Sequence, residues 1–191
     1  QYQESDFDFI SRLMEHEGIY YYFLHDNGKH TLVLADAPEQ HEVLSGFATF
    51  PCIDETASDV SELGIAHWRV SETMSASLYL TDDYDFRRPR ANLLQARQNP
   101  APDGQQEAVV FDWPGRYTRH DDGAFYGRIR QQELACAQAQ MSGETPSLGM
   151  APGHAFTLTR AARPEDNRTY IVSGAEYFFS EAGYYSQDDE E

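Results

Sequence analysis

Apolar and polar positions follow two rhythms along this chain, and the first is helical. Phe7, Ile10, Leu13 and Met14, continued by Glu17, recur at three-to-four-residue spacing, which predicts an amphipathic helix with one apolar face. Ser5 supplies an N-cap oxygen, and Asp6 and Asp8 put acids in the first turn, where the helix dipole favours them. Gly18 is the C-terminal stop. Residues 19–24 (Ile-Tyr-Tyr-Tyr-Phe-Leu) are too short for another helix and rich in β-formers, so they predict a strand buried on both faces. Asn27-Gly28 turns the chain and residues 31–35 return as the partner strand.

The second rhythm is the alternation of strands. After an irregular stretch at 36–63, with a short strand at 46–50, Ile65, His67 and Arg69 alternate with Ala66, Trp68 and Val70. Ser77, Tyr79 and Thr81 alternate with Leu78 and Leu80 in the same way, which predicts two antiparallel strands of a half-buried sheet. A charged corner follows at 82–90, an exposed loop at 95–106, and a strand at 109–113 that Pro114-Gly115 ends. Residues 124–142 are helix formers with a weak stripe of Tyr126, Ile129, Ala137 and Met141, stopped by Gly143. Strands are expected again at 155–159, 170–172 and 176–179, and the acidic run 186–191 is expected to be a solvated linker. The class is α+β, mainly antiparallel, with two helices. Residues 1–63 make a helix-plus-hairpin part and residues 64–191 a second β-rich part with one helix.

Composition sharpens this picture. Phe, Leu, Ile and Val supply only 37 of 191 residues and the formal charge is −18, a pairing that leans towards disorder. The 12 Tyr, 11 Phe and 2 Trp oppose it, because each aromatic can bury about 150–250 Å². The expected protein is folded, with an aromatic core. Its acidity excludes non-specific nucleic-acid binding, which needs clustered positive charge. No apolar run is long enough for a membrane span, so no stable insertion is expected. Cys52 and Cys136 allow one disulfide at most, and a reducing compartment fits them better. Gln1 is not an initiator Met and no signal peptide follows, so the chain reads as a piece of something longer.

The search for chemistry returns little. His16-Glu17 and His41-Glu42 each lack the second histidine of a zinc helix, since Tyr20 and Ser45 stand there. His25 and His30 flank the hairpin turn within reach of each other, but two ligands do not by themselves make a metal site. Ser142 lies outside any nucleophile elbow, and Cys136 sits among alanines. Asp82 with Asp83, and Asp121 with Asp122, are pairs that so acidic a chain produces by chance. No catalytic residue, metal ligand or cofactor is assigned. The aromatic surplus is different, because Tyr, Trp and Arg are enriched in the buried centres of interfaces. Tyr20, Tyr22, Tyr84, Trp113 and Tyr117 are the candidate assembly contacts. The alternative is that such tyrosines line one packed sheet face with their hydroxyls in water.

Residues 4–23, running from Glu4-Ser5-Asp6-Phe7 to Tyr20-Tyr21-Tyr22-Phe23, followed by His30-Thr31-Leu32-Val33-Leu34-Ala35-Asp36, resemble the valine–glycine repeat (VgrG) spike proteins of bacterial type VI secretion. These are akin to the baseplate-hub proteins of contractile phage tails. Leu80-Thr81-Asp82-Asp83-Tyr84-Asp85-Phe86-Arg87-Arg88-Pro89, the turn Trp113-Pro114-Gly115-Arg116-Tyr117, residues 124–134 and residues 148–158 continue the likeness in the family's order. The resemblance implies barrel-like hub subdomains and a homotrimer that adapts a trimeric needle to a hexameric tube. It further implies tip or effector partners, assembly in the bacterial cytoplasm, and expulsion to the outside or into a target cell. It implies no enzyme. The family's neck and β-helix spike are not in this sequence, so the resemblance is to the hub region. Two other classes remain open at this point: a hydrolase using Asp82 and Asp85, and a glycan-binding module using Trp68 and Trp113.

Overall fold

The computed structural model describes residues 1–53, 63–99 and 108–179. Helix α1 spans Asp6–Glu17, capped as expected: the Asp8 N–H donates to Ser5 Oγ at 3.1 Å, and Gly18 adopts φ +74°. Such a cap is worth about 1 kcal/mol. Strands β1 (Tyr20–Asp26) and β2 (Lys29–Ala35) form an antiparallel hairpin in the register Tyr20↔Ala35 to Asp26↔Lys29. Next come β3 (Thr49–Pro51), β4 (Ala66–Glu72), β5 (Leu78–Thr81), β6 (Gln95–Gln98), β7 (Val109–Asp112), helix α2 (His120–Gln138), β8 (Ala139–Glu144), β9 (Ala155–Thr159) and β10 (Thr169–Ile171).

The strands make four small sheets: β1–β2, β10–β9–β3, β4–β8 and β6–β5–β7. Most pairings are antiparallel; β3 on β9 and β5 on β7 are parallel. No sheet among the described residues closes into a barrel. The pairing of β3 with β9 crosses the division expected at 63/64. The core lies where β3, β9 and the start of β4 meet, with Phe50, Ile65, Phe156 and Leu158 buried together. It is aromatic, as composition suggested. Phe50 and Phe156 meet edge-on at 5.8 Å, and Trp68 meets Tyr170 at 5.0 Å.

Several expectations are corrected. Residues 20–26 form a strand, but it is not buried on both faces, because the hairpin belongs to a two-stranded sheet; Phe23 is 48% exposed. The strands at 65–74 and 77–81 do not pair with each other, since β4 takes β8 and β5 takes β6 and β7. Residues 95–98, read as loop, are strand β6, with Gln95 buried and the Gln98 carbonyl accepting from Gln131 of α2 at 2.9 Å. The second helix starts four residues early, at His120 with Asp121 and Asp122 in its first turn, and stops at Gln138. Its expected last turn is strand β8 instead, where Met141 pairs with Val70, so Gly143 is no helix stop. No strand forms at 176–179; there the Tyr177 hydroxyl donates to the Met150 carbonyl. The expected linker at 186–191 lies outside the described residues.

Leu158 has no exposed surface. Replacing it with Ala removes three heavy atoms from the densest part of the core, and the expected loss is about 2–5 kcal/mol. Urea unfolding with an unchanged slope checks this.

Candidate functional site

The two halves of the charged corner are one structure. Strands β5 and β7 run parallel, so the chain leaves both at the same end, and residues 82–91 meet residues 113–119 there. Asp83 Oδ2 accepts the backbone N–H of Arg116 at 2.5 Å and that of Tyr117 at 3.3 Å. Gly115 N–H donates to the Asp82 carbonyl at 2.9 Å. Arg88 forks between the Asp85 carboxylate, at 2.9 Å, and the Thr118 carbonyl. Tyr117 is the bolt. It is 4% exposed, and its hydroxyl faces the Thr81 and Leu93 carbonyls at 3.0 and 2.9 Å. Its ring lies so close to Gly115 and Gly123 that a Cβ on either would stand 2.2 or 2.4 Å from it. Only glycine admits the ring at those two points.

Electrostatics here favour the ionised form of Asp85. The Arg88 side chain and the Arg87 N–H hold the Asp85 carboxyl below the ordinary carboxylate range. A hydrolase needs one carboxyl of its pair raised, in an apolar pocket. Burial raises the Tyr117 phenol, and burial with the Asp112 carboxylate pushes Tyr79 up to about 12. Those groups stay protonated donors. Among the described residues no three His, Cys, Asp or Glu side chains gather as a metal site.

The hairpin presents two faces. On one, Tyr20 and Tyr22 hold His41 between them, with ring centroids at 5.6 and 5.0 Å. His41 Nδ1 lies 2.7 Å from the Gly153 carbonyl and Nε2 lies 2.8 Å from the Tyr20 hydroxyl. A carbonyl only accepts, so in the neutral ring Nδ1 carries the proton and Tyr20 donates to Nε2. On the other face Phe7 of α1 meets Tyr21 edge-on at 6.2 Å, and Tyr21 meets Phe23 at 6.1 Å. Phe7, Ile10 and Leu13 of α1, and Phe23, Leu32 and Leu34 on this face of the hairpin, are 46–62% exposed.

The five expected contacts therefore separate. Tyr84 and Trp113 stand out from the corner, 58% and 53% exposed, beside the exposed strand Val109-Val110-Phe111. Tyr20 is partly exposed and Tyr22 half-buried against His41 and Gly153. Tyr117 is turned inward, which leaves it no face for a neighbouring subunit. Trp68, the other tryptophan considered for glycan stacking, packs on the core. The α1–hairpin face was missed because periodicity reveals an apolar stripe but not what covers it. The available signal was the number of apolar side chains in two adjoining elements.

A model of the family described as phage tail baseplate hub (GPD) matches residues 1–183. The chain is 37% identical over 178 residues to the type VI secretion system spike protein VgrG1a of Pseudomonas aeruginosa, covering 93% of this chain and 28% of that protein. It is 38% identical over 179 residues to VgrG1b of the same organism, covering 93% and 24%. The actin cross-linking toxin VgrG1 of Vibrio cholerae is 32% identical over 174 residues, covering 90% and 16%. The chain thus spans about a quarter or less of the length of these relatives.

Tyr117→Phe deletes the bolt's only donor and leaves two carbonyls without it, for an expected loss of about 1–3 kcal/mol by chemical denaturation. The Asp85 contribution has a definite sign. A depressed carboxyl stabilises fully above its unfolded pKa, and the effect disappears as pH falls through the lowered one. Asp85→Asn is expected to be less stable at neutral pH, with the difference from the unaltered chain shrinking below about pH 4. Thermal unfolding across that range checks it.

Proposed function

The chain belongs to the phage tail baseplate hub family, and on that premise we propose that it is part of the hub of a bacterial type VI secretion spike. In this reading three copies surround the spike axis, and barrel-like parts of each subunit adapt a trimeric needle to a hexameric tube. Tip or effector proteins ride on the assembly, which is built in the bacterial cytoplasm and then expelled. This portion works by shape and contact and carries no enzyme.

One observation carries the proposal: the α1–hairpin surface leaves six large apolar side chains about half-exposed in a chain that forms ordered elements around them. Monomeric proteins rarely leave large apolar patches uncovered, and subunit interfaces are where such patches are buried. Tyr20, Tyr22, Tyr84 and Trp113 are proposed as further contacts, while Tyr117 acts inside the subunit. Against a hydrolase using Asp82 and Asp85 stands the engagement of the Asp85 carboxylate by the Arg88 side chain and the Arg87 N–H. A glycan module using both tryptophans is opposed by the packing of Trp68 on the core, which leaves Trp113 alone exposed of the two.

The double change Phe23→Glu with Leu34→Glu tests the reading. In the encoded full-length polypeptide the expected result is loss of the trimer by native mass measurement. In the 191-residue chain the same changes are expected to alter unfolding stability by no more than about 0.5 kcal/mol each, because both side chains are exposed. A full-length trimer that survives both charges overturns the proposed contact face.

A further inference from the structure

The tip of the β1–β2 hairpin carries a cross-strand pair of imidazoles. His25 and His30 are directly opposed across the strands, one position from the turn on either side, and both are exposed. Their Nδ1 atoms lie 2.7 Å apart, with the rings near perpendicular at 4.9 Å. Two ring nitrogens at that distance share one proton, one donating and the other accepting. One N–H and one lone pair thus face each other, and once that proton sits on the Nε2 of its own ring, two lone pairs aim at one point in space. We propose that this point is a chelating site for one divalent transition-metal ion, held by Nδ1 of His25 and Nδ1 of His30, with water completing the coordination.

The geometry needs little change to admit the ion. Imidazole nitrogens bind at about 2.0–2.1 Å, so two of them on a tetrahedral ion stand roughly 3.3 Å apart. Opening the present contact by about 0.6 Å is a small side-chain rotation. The register is fixed by the two-residue Asn27-Gly28 turn, and the Phe23 ring lies over His25 at 6.3 Å and 24° on the same face. The ring that carries its proton on Nδ1 moves it to Nε2, so a neutral pair accepts the ion without net proton release. Asp26 and Lys29 form the next pair, on the opposite face of the two-stranded sheet, and Asp26 Oδ1 accepts the Asn27 N–H at 2.7 Å. The donor set is therefore two imidazoles and water. That set suits Cu²⁺, Ni²⁺ or Zn²⁺ and not the oxygen-seeking Mg²⁺ or Ca²⁺. A bound ion ties β1 to β2 at their open end and stabilises the hairpin by mass action.

Cu²⁺ is the probe, added to the 191-residue chain at neutral pH. The expected result is one ion per chain by calorimetry and a copper resonance split by two equivalent imidazole nitrogens. His25→Ala and His30→Ala are each expected to weaken binding at least about tenfold, and His120→Ala to leave it unchanged. Absence of binding, or binding in either tip variant as tight as in the unaltered chain, overturns the proposal. Should a tip variant not fold, the resonance of the unaltered chain decides: fewer than two nitrogens on the ion overturns it.

Discussion

Shortage of interior governs this molecule. Among the described residues nine apolar or aromatic side chains are buried, whereas 25 large ones are exposed. Sheets of two or three strands cannot sandwich much between them, and two helices do not cover the remainder. Hydrophobic burial within one copy is therefore concentrated around Phe50, Ile65, Phe156 and Leu158. Elsewhere, directional bonds locate the chain: Tyr117 on two carbonyls, Asp83 on two N–H groups, and His41 between a tyrosine and a carbonyl. Each such bond contributes only about 1 kcal/mol net, but leaving its buried partners unpaired costs more, so they fix geometry more than they supply stability. The apolar surface left over is what a subunit interface would use.

What could be read from sequence was local. Ser5 and Gly18 mark the ends of α1 through their own backbone preferences, and Asn27-Gly28 sets the hairpin within a few residues. Strand β9 was legible to the residue because Ala155-Phe156-Thr157-Leu158-Thr159 alternates around a buried Leu158. Strands β6 and β8 were not. Gln-Ala-Arg-Gln and Ala-Gln-Met-Ser-Gly-Glu carry no β pattern, and distant partners make them strands: Tyr79 and Leu80 for the first, Val70 and Ser71 for the second. The candidate contacts divide on the same line. Tyr84 and Trp113 are exposed as their charged, turn-rich surroundings suggest, whereas Tyr117, two residues from Gly115, is drawn inside by glycines that admit its ring.

The acidic corner explains why carboxylates crowd a chain in which no acid chemistry was found. Leu80 to Pro89 and Trp113 to Tyr117 are two segments of sequence likeness separated by more than twenty residues, and in space they are one joint. Asp83 reaches across to the second segment, Asp85 holds its own turn through the Arg87 N–H, and Arg88 reaches across to Thr118. An arginine suits that last position because its planar fork serves a carboxylate and a carbonyl together, which a lysine ammonium does with less directional control. Arg12 with Glu4 and Arg163 with Glu165 and Asp166 repeat the usage at the surface. Of the 14 basic residues 13 are arginine, and that bias is spent at least partly inside the subunit.

Pairing those arginines leaves the net charge where it was, at −18. Copies brought together repel one another, and the repulsion reaches about 8 Å in physiological salt. Apolar contact acts only at touching distance, but over an area it contributes roughly 25 cal/mol per Å². Two surfaces of this kind associate only if the contacting faces are nearly free of charge and the carboxylates stay at the rim. The α1–hairpin face meets that condition. Phe7, Ile10, Leu13, Phe23, Leu32 and Leu34 form its middle, while Asp8 and Glu15 lie on another side of α1, and Asp6 and Glu17, which share the stripe, stand at the two ends of the helix. In the proposed assembly, charge decides which surfaces are refused and apolar area decides which one is joined.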